Sequence, residues 1–153
     1  MDVEMKLEEL GIVLPSATTA TANYCPCVQE GNLVYVSGHG PFDSGKPKYT
    51  GRIGLELTES EGYAAARFCG LAILATIKDQ FGSLDRIEKI IKVLGFISCA
   101  QGFDRQPYVL NGISDLFVSV FGEKGKHARS AIGTCQLPLN IPVEVEIIFK
   151  IKD

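Results

Sequence analysis

Hydrophobic residues recur at the spacing of an amphipathic helix in three segments of the chain. The first segment is short and covers residues 3–10. The second begins at Thr58, which fits a capping box with Glu61, and runs to about Phe81. The third is closed by Gly122, since glycine readily ends a helix. The residues that give these segments one apolar face are Val3, Leu7, Leu10, Tyr63, Ala66, Gly70, Ile73, Leu74, Ile77, Val109, Ile113, Leu116, Phe117 and Val120.

β-Branched and aromatic residues predict strands around these helices. The first strand is NLVYVSG at 32–38, and the Gly/Pro-rich segment that follows, 38–51, is predicted to be a long loop. The other predicted strands are a short β-like segment at 51–54 (GRIG), a long strand at 86–99 that becomes fully apolar, and two closing strands at 127–135 and 143–151.

The order of these elements predicts an α+β fold, in which two helices pack on one face of a mixed β-sheet. Small residues in the long helix, Ala65, Ala66 and Gly70, would let that helix approach the sheet closely. The sequence contains no internal repeat and no domain boundary, so we expect residues 1–153 to form a single domain.

The last predicted strand, VEVEIIFKI, has two different faces. Its odd positions, from Val143 to Ile151, are all apolar and are expected to lie under the helices. Its even positions mix charge with Ile148, and the long strand at 86–99 is also strongly apolar. This pattern indicates that something besides the chain's own helices covers the sheet. We therefore expect a symmetric oligomer, with Arg129 and Glu144 at a subunit boundary.

Composition and charge narrow the classes of partner. Of the 153 residues, 46% are hydrophobic and 22% are charged, as is typical of a globular domain. The net charge is −3, the pI is about 5.4 and Lys and Arg do not cluster, which argues against a nucleic-acid partner. No segment reaches the roughly 18 apolar residues of a membrane span, and the acidic N-terminal segment is unlike a signal peptide. We expect a cytoplasmic protein without a membrane partner.

The cysteines and histidines do not predict a metal site. Five cysteines, an odd number, indicate reduced structural thiols rather than a disulfide framework. Cys25 and Cys27 flank a proline at a spacing unlike that of a zinc knuckle, and the only histidines are His39 and His127. The sequence also has no Gly-x-Ser-x-Gly motif, phosphate loop or dinucleotide fingerprint. We therefore expect neither a metal nor a cofactor.

Arg129 is the most unusual candidate for chemistry. It lies in the segment HARSAIG, where its neighbours are small or apolar and predict a buried strand. An arginine holds a carboxylate through two parallel hydrogen bonds, and this interaction strengthens in a dry cleft. Arg129 is therefore either a clamp for a ligand carboxylate or the partner of Glu144 or Glu146 on a neighbouring strand.

Other polar residues each allow a structural and a functional interpretation. Glu144 can act as a general base if apolar surroundings raise its pKa, or it can be the partner of that arginine. Asn111 in the last helix either faces solvent or hydrogen-bonds a substrate carbonyl. The hydroxyl of Tyr24 orients a ligand or caps the edge of the core. The triplet 38–40 (Gly-His-Gly) offers backbone N–H groups or forms a sharp turn, and His127 is predicted at the surface or an interface.

Three segments match one known family. They are ARSAIGTCQLPLNIPVEVEIIF at 128–149, GNLVYVSG at 31–38 and the helical segment VLNGISDLF at 109–117. In these segments the chain resembles the YjgF/RidA family, which includes the reactive-intermediate (2-iminoacid) deaminases. The resemblance covers nearly all of the chain from Tyr24 onward. It implies a chorismate-mutase-like fold, a homotrimer and sites in the clefts between subunits.

The resemblance also implies roles for particular residues. Arg129 falls on the position that binds the substrate carboxylate, and Glu144 falls on the acidic residue near the attacking water. The matching substrate-binding positions are Tyr24, Ser37, Gly38, Asn111 and Ala131. Two departures stand out: Ala131 replaces a cysteine that is frequent in the deaminases, and Ser-Gly-His-Gly-Pro replaces the usual Ser-Gly-Gln.

The activity implied by the resemblance is the hydrolytic deamination of small 2-imino or enamine acids to 2-keto acids and ammonia. It needs no metal and no cofactor. An alternative is a non-catalytic protein that binds small carboxylates such as 2-keto acids. The label endoribonuclease is also attached to such proteins, and the acidic pI and absence of a basic stripe argue against it.

Overall fold

A computed structural model of the chain describes residues 2–152. Its helices are α1 (Val3–Glu9), α2 (Glu59–Phe81) and α3 (Gln106–Phe121). Its strands are β1 (Cys27–Glu30), β2 (Leu33–His39), β3 (Phe42–Asp43), β4 (Lys46–Pro47), β5 (Ile87–Ser98), β6 (Ala128–Thr134) and β7 (Val143–Ile151). The three predicted helices and the strands predicted around 32–38, 86–99, 127–135 and 143–151 are confirmed.

The ends of α2 follow from local sequence. The Thr58 hydroxyl accepts the backbone N–H of Glu61 at 3.2 Å, and the Glu61 carboxylate accepts the backbone N–H of Thr58 at 2.7 Å. This is the predicted capping box, and it satisfies backbone N–H groups that a helix start otherwise leaves without partners. At the other end Gly82 adopts a φ of 81°, a left-handed conformation that glycine adopts at little cost.

The main sheet has five strands in the order β1-β2-β7-β5-β6. Neighbouring strands are antiparallel except β5 and β6, which are parallel, so the predicted mixed sheet is confirmed. Three short strands were not predicted. β1 lies at one edge of the sheet, and β3 and β4 form a small hairpin inside the segment predicted as a loop. The β-like segment at 51–54 makes isolated bridges through Ile53, one of them to Cys99.

Helices α2 and α3 cover one face of the sheet. The odd positions of β7 point into this core and are buried, while its even positions are half-buried or exposed, as the alternation predicted. On the opposite face the described residues leave apolar side chains uncovered or half-covered. These are Val28, Tyr35, Leu94, Phe96, Ile132 and Ile148. We call this surface the open face of the sheet.

One of the small residues of α2, Gly70, makes a different contact from the predicted one. A Cβ atom on Gly70 would lie 2.8 Å from Leu116 and 2.9 Å from Ile113, both on α3. From the other side, a Cβ on Gly112 would overlap with the backbone of Tyr63 in α2. The prediction for Gly70 is therefore wrong in its partner: glycine lets α2 approach α3 rather than the sheet.

Candidate functional site

Arg129 lies on β6, the edge strand of the sheet, with its side chain against α3. Its Nη1 donates to Asn111 Oδ1 at 2.8 Å and to Ser114 Oγ at 3.1 Å, and its Nη2 donates to the carbonyl of Pro107 at 3.3 Å. All three acceptors are neutral. The interpretation in which Asn111 faces solvent is therefore wrong, because its side chain holds the guanidinium of Arg129.

The proposed ion pair of Arg129 with Glu144 or Glu146 is wrong. Strand β5 lies between β6 and β7, so these residues are not on neighbouring strands. Within residues 2–152, Arg129 makes no salt bridge to any carboxylate. The sequence suggested adjacency because β6 and β7 follow each other in the chain, but the parallel pairing of β5 and β6 separates them.

Ser114 connects Arg129 to a second residue, His127. Nε2 of His127 lies 3.0 Å from Ser114 Oγ, and its Nδ1 lies 2.6 Å from the carbonyl of Gly125. The ring packs edge-on against Phe117 at a centroid distance of 6.1 Å. Burial lowers the pKa of His127, and the charge of Arg129 lowers it further, against an opposing hydrogen bond to Gly125. The sequence did not single out Ser114, although its spacing of three from Asn111 places both on one helix face.

Glu144 lies on the open face, on β7 opposite Phe96 of β5. It is half-buried, and burial raises the pKa of its carboxyl, with a further contribution from the negative charge of Glu146. A raised pKa makes the carboxylate a better proton acceptor, as the general-base interpretation requires.

The bend in β2 brings Gly38 under this carboxylate. The pairing of β2 with β7 shifts between Val36 and His39, which marks a bulge at Ser37 and Gly38. The Ser37 hydroxyl donates to the carbonyl of Cys25 at 2.7 Å. A Cβ atom on Gly38 would overlap with Oε1 of Glu144, so this close approach requires glycine.

His39 fixes the bulge from the core side. Its Nδ1 lies 2.6 Å from the carbonyl of Ser37, and its Nε2 lies 2.8 Å from Thr76 Oγ1 on α2. A carbonyl only accepts, so Nδ1 carries the proton and Nε2 accepts from the threonine hydroxyl. Burial lowers the pKa of His39, which favours this neutral form.

A cavity of about 470 Å³ opens above Glu144. Tyr24, Gly38, His39 and Glu144 line it, and Tyr24 is exposed rather than capping a core edge. The remaining walls come from the Ser/Thr-rich segment, the β3–β4 hairpin and the turn before β7, with Ser16, Ala17, Thr18, Thr19, Thr21, Gly40, Phe42, Ser44, Gly45, Pro138, Leu139 and Ile141. Another cavity of about 580 Å³, between α1 and α2, contains none of the predicted site residues.

The predicted residues thus fall into two groups. Tyr24, Ser37, Gly38 and Glu144 lie at or beside the cavity, on the open face and the bulge of β2. Asn111, Arg129 and Ala131 lie at the edge formed by β6 and α3, where Ala131 is half-buried against the core. The group at the cavity contains the carboxylate that could act as a base toward water, Glu144, and the group at the β6–α3 edge contains the cation that could bind a substrate carboxylate, Arg129. Neither group contains both.

Within a single chain, Arg129 and Glu144 lie far apart. In the register of the strands Arg129 lies beside Val93, whereas Glu144 lies beside Phe96. Two strand spacings and three residues of offset put their Cα atoms roughly 14 Å apart. Val93 is buried under the helices and Phe96 belongs to the open face, so the two side chains leave opposite faces of the sheet.

The described residues do not form a reactive cysteine site or a metal site. All five cysteines are free, and burial raises the pKa of Cys27 to about 11 and that of Cys69 well above its ordinary value. Between residues 2 and 152 no three His, Cys, Asp or Glu side chains are grouped to hold a metal ion. In the same range, no helix has the length and apolar character needed to cross a bilayer.

Comparisons with known proteins give one consistent family. A family model described as "YjgF/chorismate mutase-like, putative endoribonuclease" matches residues 4–150. The sequence is 40% identical over 152 residues to Protein TCP17 of Trypanosoma cruzi, covering 99% of this chain and 95% of that protein.

Solved structures agree. A protein of unknown function from Agrobacterium tumefaciens has a TM-score of 0.91 and 42% identity, with 98% of this chain and 92% of that chain covered. A "putative endoribonuclease" from Shewanella oneidensis has a TM-score of 0.94 and 34% identity, with 99% and 100% covered. RidA from a Psychrobacter species has a TM-score of 0.62 and 27% identity, with 89% and 94% covered.

Proposed function

Because the chain belongs to the YjgF/chorismate mutase-like family, we propose that it is a hydrolytic deaminase of small 2-imino or enamine acids, with its active site between the subunits of a homotrimer. One observation carries this proposal. The guanidinium of Arg129 is fixed at a sheet edge by neutral acceptors and has no carboxylate partner within residues 2–152. A buried or half-buried arginine without an anion is suited to bind one from a ligand.

The separation of Arg129 and Glu144 supports a shared site. Each lies at a different surface of the chain, one at the β6–α3 edge and one on the open face. The open face also carries uncovered apolar side chains, which a second copy of the chain would cover. Packing the edge of one subunit against the open face of the next brings Arg129 of one chain toward Glu144 of another.

The proposed reaction uses only side chains and water. Arg129 binds the carboxylate of the imino acid and so places the C=N carbon near Glu144. Glu144 accepts a proton from a water molecule as the water oxygen bonds to that carbon, and it passes this proton to the nitrogen, which gives a carbinolamine. The hydroxyl proton of the carbinolamine then moves to the nitrogen through Glu144 as the C–N bond breaks, so that the carbonyl of the 2-keto acid forms and ammonia leaves. An enamine substrate first takes a proton on carbon and becomes the imine.

Mixing two inactive variants tests both the chemistry and the shared site. We expect Arg129→Ala and Glu144→Gln each to abolish the acceleration of 2-iminobutyrate hydrolysis in a dehydratase-coupled assay. After unfolding and refolding together in equal amounts, about one quarter of the sites would combine an intact arginine with an intact glutamate. The mixture should therefore regain about one quarter of the wild-type activity. No regain would contradict a site shared between chains.

Two further measurements, ligand binding and RNA cleavage, separate the alternative functions. Saturable binding of 2-ketobutyrate in calorimetry that depends on Arg129, without turnover by the wild type, would indicate a binding protein instead of an enzyme. RNA cleavage that persists through purification and is lost in Arg129→Ala would support the endoribonuclease activity for which some relatives are named. The net charge of −3 does not favour it.

A further inference from the structure

We infer that Ser114 and His127 are positioning residues that hold the guanidinium of Arg129 in the orientation in which it receives a substrate carboxylate. This inference rests on the proposed function, because it concerns how the proposed carboxylate site is prepared. Ser114 contacts Arg129, and His127 contacts Ser114. They act through Arg129.

The donors of Arg129 support this role. A guanidinium has five N–H groups, two on each Nη and one on Nε. Both N–H groups of Nη1 are used by Asn111 and Ser114, and one of Nη2 by the carbonyl of Pro107. With respect to residues 2–152, two donors remain, one on Nη2 and one on Nε. Two is the number that a carboxylate accepts in bidentate geometry.

The partners of His127 determine which way the Ser114 hydroxyl points. Nδ1 of His127 faces the carbonyl of Gly125, which only accepts, so Nδ1 carries the proton. In the neutral ring Nε2 is then an acceptor, and the Ser114 hydroxyl donates its proton to it across 3.0 Å. The free lone pairs of Ser114 Oγ are left for Arg129 Nη1 at 3.1 Å.

The ring of His127 is itself fixed in the fold. It packs edge-on against the buried Phe117 of α3, and its hydrogen bond to Gly125 ties it to the turn before β6. Burial lowers the pKa of His127, which favours the neutral ring that this arrangement needs. A chain of four groups therefore runs from the Gly125 carbonyl through His127 and Ser114 to Arg129. Such a chain reduces the freedom that a long arginine side chain would lose on binding a ligand.

Steady-state kinetics with paired variants test the inference. Ser114→Ala removes an acceptor of a charged donor, and we expect it to raise KM for 2-iminobutyrate roughly tenfold with kcat within about twofold. Ser114→Thr keeps the hydroxyl and should restore KM. Ser119→Ala is the matched control, since its hydroxyl bonds only the carbonyl of Leu116 on the same helix. A KM within twofold of wild type for Ser114→Ala would overturn the inference.

His127→Phe extends the test, because it keeps an aromatic ring against Phe117 but removes both ring nitrogens. We expect the same increase in KM as for Ser114→Ala, and no further increase in the double variant, since both act through one contact. An additive increase would contradict a single chain of contacts. If His127→Phe lowers the folded fraction in far-UV circular dichroism, the Ser114 variants decide alone.

Nitrogen NMR of the protein without substrate separates this inference from the proposed function. The His127 ring should show a protonated Nδ1 and an unprotonated, hydrogen-bonded Nε2, and Ser114→Ala should shift the Nε2 resonance. If wild type shows no turnover and no 2-keto acid binding, the proposed function fails while this result still reports the contact. If the resonance does not move, the contact itself is refuted.

Discussion

The carboxylate of Glu144 lies directly over the backbone of Gly38, so close that a Cβ on residue 38 would overlap with Oε1 and lie 3.0 Å from Cδ. The atoms in the way are the far end of a flexible side chain. Gly38→Ala should therefore displace the proposed base while leaving the fold almost intact.

We expect Gly38→Ala to lower kcat at least tenfold, because a general base contributes about a hundredfold or more when correctly placed. The free energy of unfolding should change by less than about 1 kcal/mol, since Glu144 can rotate away. Coupled kinetics and urea denaturation at one protein concentration measure the two effects. Unchanged kcat would mean that the position of Glu144 does not matter to the reaction.

Gly112→Ala provides the opposite case. A methyl group there would overlap with the carbonyl of Tyr63 and lie 2.9 Å from the backbone nitrogen of Arg67, and the backbone of α2 cannot move aside alone. We expect a loss of about 3 kcal/mol, from overpacking between α2 and α3. Val118→Ala, at an exposed position of α3, should change stability by less than about 0.5 kcal/mol. A loss below about 1 kcal/mol for Gly112→Ala would refute the close helix contact.

The sequence predicted the features that depend on local pattern. The alternation along β7 identified its buried and open faces, and the Thr58–Glu61 spacing identified the start of α2. Both features depend only on residues that are a few positions apart in the chain. The short strand β1 and the β3–β4 hairpin were not predicted, because two to four residues give too little alternation to recognise.

Features that depend on the order of strands could not be predicted in this way. Arg129 and Glu144 are close in the chain, which suggested neighbouring strands, but a parallel pairing inserted β5 between them. The predicted partner of Gly70 was wrong for a related reason: the sequence of one helix face does not reveal which element packs on it. Local sequence and family resemblance both pointed to Arg129, Asn111 and Glu144, but only the structure brought Ser114 and His127 to the arginine.

The raised pKa of Glu144 predicts a pH dependence of both rate and stability. The base must be ionised, so the rate should rise with pH through a midpoint above the ordinary value of 4.5. Glu146→Gln removes a neighbouring negative charge that contributes to the shift, and it should move this midpoint to lower pH. A kcat/KM profile between pH 4 and 9 measures it, and a midpoint that stays in place would contradict the electrostatic coupling of the two glutamates.

Stability should change in the matching direction. Because the folded state binds the Glu144 proton more tightly than the unfolded state, its contribution to stability is fully present below pH 4.5 and is lost as pH rises through the raised pKa. Glu144→Gln removes the ionisable carboxyl, and with it this loss of stability at higher pH. The variant should therefore gain stability relative to wild type as pH increases from 4 to 8, while being inactive. Equal pH dependence of unfolding for both proteins would show that the pKa is not raised.

The open face predicts which substitution would dissociate the proposed trimer. Ile148 lies at its centre, between Tyr35 and Lys92 in the register, and is only half-buried in the single chain. Ile148→Asp therefore costs little in a monomer but would bury a carboxylate in the proposed trimer. We expect sedimentation equilibrium to give three times the chain mass of 16.6 kDa for wild type and a single chain mass for the variant.

The matched control for this change is Val13→Asp, an equally apolar-to-acidic substitution at a residue that is 86% exposed and lies between Ile12 and Leu14, which line the cavity beside α1 and α2. It should keep the wild-type mass. Since the proposed site needs two chains, Ile148→Asp should also lose deaminase activity, and raising its concentration should restore mass and activity together. A variant that sediments as a single chain yet keeps full activity would place the whole reaction within one chain, and would refute the shared site even if every residue role were correct.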